Sequence, residues 1–282
     1  MADDLGDEWW LEQETKTLDS ETTEQNGNPQ KKQKSQAAKP GGKRKVDTSH
    51  VTSEVVKHKK KKGSSGKEKK RERKKITDES DEALAKPGNA EDVRAMMSKV
   101  LKDRLGAEAL EDLLPNAEND FYPHNVESLE PEKYLTFILT TWRTALKKSL
   151  FMKKTGSPIL LIVTSSAVRA VELNRQIKGF LDSRCKVAKL FAKHMKVEEQ
   201  TKYLAKTNCQ VGIGTPGRLL LLVKQGALQL ESLVAIVLDW NWRDTKLKRM
   251  ADIPEVRQDL VAFLKDHIIE TVRGSPCKLA LL

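Results

Sequence analysis

The sequence predicts an α/β fold: an open parallel sheet flanked by helices, preceded by a long charged N-terminal tail expected to be disordered. Three observations carry that expectation. Beyond Gly156-Ser157-Pro158, short apolar runs alternate with helical stretches, the pattern of buried parallel strands joined by crossovers. Before about Ala90 there is almost no apolar periodicity, so that stretch has too little to bury to offset the entropy of ordering. The charge divides in the same place. The 282 residues carry a formal net charge of +11, yet 1–24 has one base against nine acids, 31–75 has nineteen bases against four acids, and 76–282 has 31 bases against 27 acids.

Three segments follow in order: a tail over 1–90 (acidic over 1–24, Lys-rich over 31–75), a helical lead-in over 91–157, and the sheet domain over 158–282. In the lead-in, Val93, Met96, Met97, Val100, Leu101 and Leu105 recur at three-and-four spacing, which predicts a helix over 91–105 that Ala109 to Leu114 continues. Pro115 ends it, 116–131 reads as a polar loop, and Leu135, Ile138, Leu139, Trp142, Ala145 and Leu146 give an apolar face to a helix over 132–150. In the sheet domain the expected strands are 159–164, 186–191, 210–213, 234–239 and 278–282. Helices are expected over 167–181, 197–206, 216–225 and 256–269. In such sheets ligands meet the loops at the carboxyl ends of the strands.

Composition also excludes classes of function. No apolar run approaches the roughly 18 to 20 residues that span a bilayer, and the first thirty residues are acidic, so no membrane partner is expected. Cys185, Cys209 and Cys277 are too far apart for a metal-ligand pair or a disulfide framework, which fits a reducing compartment and leaves no metal site in view.

The sharpest local signal is Gly214-Thr215-Pro216-Gly217-Arg218. Thr215 suits an N-cap and Pro216 the first helical position, where a missing N–H costs nothing. Such a start presents free amides and a positive dipole end, with Gly217 permitting close approach and Arg218 adding charge, which is either a phosphate site or an ordinary strand-to-helix turn. Thr164-Ser165-Ser166 ends an earlier strand and precedes a helix bearing Arg169; it offers hydroxyls to a backbone phosphate, although capping alone explains them.

These segments resemble the DEAD-box RNA helicases. Leu-Leu-Ile-Val-Thr-Ser-Ser over 160–166, with Glu172-Leu173 and Gln176-Ile177, is similar to the region around their P-T-R-E-L-A motif, and Val197-Glu198-Glu199-Gln200 with Leu204 to the helix after their Gly-Gly doublet. Gly214 to Leu219 matches G-T-P-G-R-L, and Ala235-Ile236-Val237-Leu238-Asp239 matches the strand entering the D-E-A-D box. The resemblance implies a single RecA-like domain over 158–282 and RNA-backbone contacts at Thr215, Gly217 and Arg218, with looser matches at Thr164, Ser165 and Arg169.

The departures bear on activity. No G-K-T phosphate loop occurs, the Gly-Gly position reads Lys193-His194 or its neighbour, and Asp239-Trp240-Asn241-Trp242 keeps only the first carboxylate of D-E-A-D. Asp244 has the wrong spacing to replace the second. ATP hydrolysis coupled to unwinding is therefore not expected, and neither is a nucleotide cofactor. Trp240 and Trp242, two apart at a strand end, point to one side; they either stack on a base or grip a partner, or fill the vacant nucleotide cleft.

An acidic start, a Lys-rich tail and one degenerate DEAD-box-like domain together resemble the Cms-one ribosomal small subunit homologue family. That resemblance implies a nuclear, nucleolar factor of the early small-subunit pre-ribosome, with RNA and pre-ribosomal assembly proteins as partners. In the tail, Lys59, Lys60, Lys61 and Lys62, and Lys69, Lys70, Arg71, Arg73, Lys74 and Lys75, suit nuclear import and an electrostatic arm on RNA, or a merely solubilising linker. Trp9 and Trp10, set among acids, read either as a short docking motif or as chance aromatics. The expected function is non-catalytic RNA and protein binding; the alternative is an interaction scaffold whose folded domain touches no RNA.

Overall fold

A computed structural model of the chain describes residues 86–282; Trp9, Trp10 and the basic clusters at 59–62 and 69–75 lie outside them. Five parallel strands form one sheet: β1 Leu160–Val163, β2 Val187–Leu190, β3 Val211–Gly214, β4 Ala235–Leu238 and β5 Lys278–Leu281. Their order is β2-β3-β1-β4-β5, with Val163 beside both Gly214 and Leu238. Every residue of β1, β3 and β4 is buried, as strands without polar side chains must be in a sheet covered on both faces.

The helices preceding the sheet are α1 Ala90–Leu101, α2 Ala107–Glu111, α3 Pro131–Ile138 and α4 Trp142–Met152. Within it come α5 Ala167–Gln176, α6 Val197–Lys206, α7 Pro216–Lys224, α8 Pro254–Phe263 and α9 Ile269–Gly274, with a π-helical turn at Leu264–Ile268 joining the last two. One face of the sheet, through Leu161, Val163, Leu190, Ile236 and Leu238, shares a core with Met97 of α1, Leu219 and Leu222 of α7, and Leu260 and Phe263 of α8. The lead-in and the sheet thus bury the same apolar surface. Toward the other face lie buried residues of α3, α4 and α5, including Tyr134, Leu135, Leu146 and Leu173.

The structure adjusts several elements. The helix expected over 132–150 is two helices, because Leu139 leaves helical geometry at φ −105° and ψ 58° and the following Thr140-Thr141 pair is β-branched and propagates a helix poorly. Asn89 closes the start of α1 with a reciprocal capping box to Asp92. Within the supposed polar loop, Phe121 bridges Leu279: the Tyr122 N–H donates to the Leu279 carbonyl at 2.7 Å and the Leu279 N–H to Asp120 at 2.8 Å. This short segment covers the β5 edge, which would otherwise present unpaired backbone groups.

Two backbone details shape the strand ends. His194 stands at φ 60°, a conformation glycine adopts freely. A side chain at Gly214 would meet the Leu190 carbonyl of β2. Gly214→Val is therefore expected to lower stability by about 1–3 kcal/mol through overpacking against a backbone that cannot yield, measured as a fall in the urea midpoint with an unchanged slope; an unaltered midpoint would contradict this reading.

Candidate nucleic-acid interface at the strand ends

Chain connectivity diverges between β1 and β4: β1 leads toward β2 at one edge, and β4 leads to β5 at the other. That divergence is where an open α/β sheet has its crevice. Here the crevice is filled. The Arg169 Nε donates to Asp239 Oδ2 at 2.8 Å and Nη2 to Oδ1 at 3.0 Å, a bidentate pair whose side chains are only 6% and 1% exposed. Arg169 Nη1 also reaches Gln176 Oε1 at 3.2 Å and Glu172 Oε2 at 3.3 Å, and the guanidinium lies 5.2 Å from the centre of the Trp242 ring.

Burial pushes the Asp239 carboxyl upward, and the Arg169 hydrogen bonds oppose that rise. For Arg169 burial works against the charge, but Asp239 and Glu172 outweigh it and raise its pKa, so the guanidinium stays cationic. Trp240 is 2% exposed, with its indole edge against Gly88, and its N–H finds no acceptor. The backbone of that incoming segment is fixed beside it: the Gly88 N–H donates to Asn241 Oδ1 at 2.6 Å, and Arg249 donates to the Lys86 carbonyl at 2.7 Å.

Next to the filled crevice lies an open groove of about 650 Å³, whose lining includes Ser165, Thr215, Gly217, Arg218, Glu255 and Asp259. Because β1 pairs with β3, the two loops singled out in the sequence arrive side by side. Pro216 opens α7, whose leading amides have no acceptor within the helix. Ser165 is 9% exposed and its hydroxyl lacks a partner. Arg218 Nη1 donates to the Met195 carbonyl at 3.0 Å and to Gln200 Oε1 at 2.7 Å; burial lowers its pKa and Glu198 opposes this. Asp259 of α8 stands against Gly217, where any side chain would collide with its carboxylate. Lys224, also on the groove, pairs with Asp266 at 3.6 Å.

The sequence profile of the family described as "CMS1: U3-containing 90S pre-ribosomal complex subunit" matches residues 15–273. The chain belongs to this family. The human protein CMSS1 is 39% identical over the full length of both chains, and protein CMS1 of Chaetomium thermophilum is 43% identical over 40% of this chain and 45% of its own. A crystal structure of a DEAD box protein from Methanococcus jannaschii is 21% identical and covers 44% of this chain and 30% of that one, with a TM-score of 0.32.

In this member of the CMS1 family the expected site residues divide into two sets. Ser165, Thr215, Gly217 and Arg218 share the groove. Thr164 and Arg169 do not offer themselves to a phosphate: the Thr164 hydroxyl is fully buried and donates to the Ser166 carbonyl at 3.1 Å, and Arg169 is held by Asp239. Trp240 is a core residue, not a partner-facing one, and Trp242 supplies its ring to Arg169. Sequence reasoning missed Glu255 and Asp259, which belong to a helix with no motif; only the placement of α8 against α7 brings them in. Among the described residues no cluster of His, Cys, Asp or Glu could hold a metal ion, and no helix is long and apolar enough to cross a membrane.

Removing Arg169 would leave a buried carboxylate without its counter-charge. Arg169→Met is expected to cost about 3–5 kcal/mol, with partial recovery when Asp239→Asn is added; a single variant as stable as the parent in chemical denaturation would contradict the pairing. Trp240→Ala is expected to cost about 3–5 kcal/mol while changing RNA affinity little. A stable Trp240→Ala chain with lost RNA affinity would reverse its assignment from core to contact.

Proposed function

We propose that the protein is a non-catalytic RNA- and protein-binding factor of early small-subunit assembly, acting in the nucleolus. Membership of a family described as a subunit of the U3-containing 90S pre-ribosomal complex supports the assembly role. The observation that carries RNA contact is the groove: an orphaned, nearly buried Ser165 hydroxyl and the open first turn of α7 face one cavity next to Arg218. The strand-end carboxylate is spent on Arg169 in the crevice, which favours binding over hydrolysis.

The described region carries a modest excess, 31 bases against 23 acids over 86–282, and the groove itself mixes both signs, so its contribution is positional. General affinity comes from the lysine arm over 57–75, whose charges would neutralise phosphates without reading sequence. One observation favours the scaffold reading instead: Glu255 and Asp259 line the same groove and repel a phosphate.

Binding of the full-length chain to short single-stranded RNA, followed by fluorescence anisotropy across a salt series and in parallel with ATP, separates the readings. RNA is expected to bind without ATP, Arg218→Glu to weaken it roughly tenfold, and Asp259→Lys to tighten it severalfold, since one groove charge changes sign in each. Deleting 57–75 is expected to flatten the salt dependence. RNA affinity indifferent to both groove variants would leave the scaffold reading, and ATP binding in the crevice would overturn the non-catalytic one.

A further inference from the structure

The exposed side of α4 has no part in the groove. Its sequence, Trp-Arg-Thr-Ala-Leu-Lys-Lys-Ser-Leu-Phe-Met, contains no carboxylate, and Trp142 and Leu146 are the side chains it buries. Trp142 stacks on Phe180 at 4.9 Å, which fixes the helix to the domain by that side. The opposite side exposes Arg143, Lys147, Lys148, Phe151 and Met152, followed by exposed Lys153. Phe151 is 85% and Met152 63% exposed. Four-residue spacing sets Arg143, Lys147 and Phe151 in one row and Lys148 and Met152 in the next, so a broad ridge carries cations along its first turns and apolar groups at its end.

Ordinary structural causes account for only part of this. A cation near a helix C-terminus is favoured by the dipole, which explains Lys153 but not a large ring left almost wholly in water. Of the nearby acids, Glu231 takes Lys154 at 3.0 Å, and Asp182 takes Arg184 at 2.9 Å while also attracting Arg143. The Asn208 side chain donates to the Ser149 carbonyl at 3.2 Å and brings the end of α6, with exposed Lys206, to the same end of α4. Among the described residues no salt bridge reaches Lys147 or Lys148, so the ridge keeps a net positive charge.

We propose that the α4 ridge is a second RNA-binding surface, on which Lys147, Lys148 and Arg143 track the phosphates of a single strand and Phe151 stacks on a base. A row of cations with one free aromatic ring is the donor set that single-stranded nucleic acid fits, because every base has a π-face and the backbone charge is continuous. The chain passes from α4 through Gly156 and Pro158 into the start of β1, so the ridge ends at the amino end of the strands, whereas the groove opens at their carboxyl ends. The inference rests on the reading of the protein as an RNA binder, and not on the groove.

The test uses the full-length chain and a short oligouridine carrying 4-thiouridine. Lys147→Glu with Lys148→Glu is expected to lower the magnitude of the logarithmic salt slope by about 1.4, the share of two phosphate contacts on a single strand. Phe151→Ala is expected to weaken binding roughly tenfold and Phe151→Trp to preserve it. Photo-crosslinks should map to the peptide holding Phe151. These side chains are exposed, so melting temperatures should not move, and the losses should multiply with that of Arg218→Glu because the surfaces are separate. Unchanged affinity and slope in the α4 variants, with Arg218→Glu still weakening binding, would overturn the ridge and leave the groove standing. Loss of assembly-protein capture with RNA affinity intact would also overturn it, as a protein-docking face. No RNA binding by the parent chain would overturn the RNA reading itself.

Discussion

The bidentate pair between Arg169 and Asp239 governs what this domain can do. It ties the first turn of α5 to the end of β4 across the place where the sheet's connections diverge. A carboxylate and a guanidinium shielded this completely are costly to desolvate, and the cost is offset only by near-ideal geometry and further partners, here Glu172, Gln176 and the Trp242 ring. Once formed, the pair occupies the crevice that a ligand would otherwise enter. Trp240 and the segment around Gly88 complete the closure from the other side.

The loops after β1 and β3 remain open, and their adjacency follows from the parallel pairing of Val163 with Gly214. Glycine at 214 lets the β2 backbone approach, and glycine at 217 leaves room for Asp259. The resulting groove holds a hydroxyl, helix amides and one arginine against two carboxylates. On the proposed reading such a site would select by placement of donors and acceptors, with bulk attraction to RNA left to the lysine arm and the cationic ridge of α4.

Much of the fold was legible in the residues. Short apolar runs marked the strands, nearly unbroken in β1 and β4 and interrupted by Lys189 in β2 and Gly212 in β3, because strands covered on both faces need no polar alternation. Less was legible at the site. Thr215, Gly217 and Ser165 were readable from their turn chemistry, but nothing local distinguishes an arginine aimed at solvent from one that reaches a carboxylate seventy residues away. Arg169 therefore reads from sequence as an RNA contact, although its partner Asp239 stands in view as a surviving strand-end acid. Glu255 and Asp259 were invisible because helix packing, not sequence spacing, brings them to the groove. The break at Leu139 was missed for a related reason: apolar periodicity continues across it while the backbone does not.

The folded domain is proposed to hold RNA beside a crevice sealed by its own side chains. Ultraviolet crosslinking of the intact protein to RNA in cells, with adducts mapped to peptides by mass spectrometry, tests it most directly. The account predicts adducts on the peptides containing Ser165 and Thr215 to Arg218, in addition to the lysine arm. Adducts confined to the arm would contradict it, and would reduce the folded domain to a scaffold for other proteins.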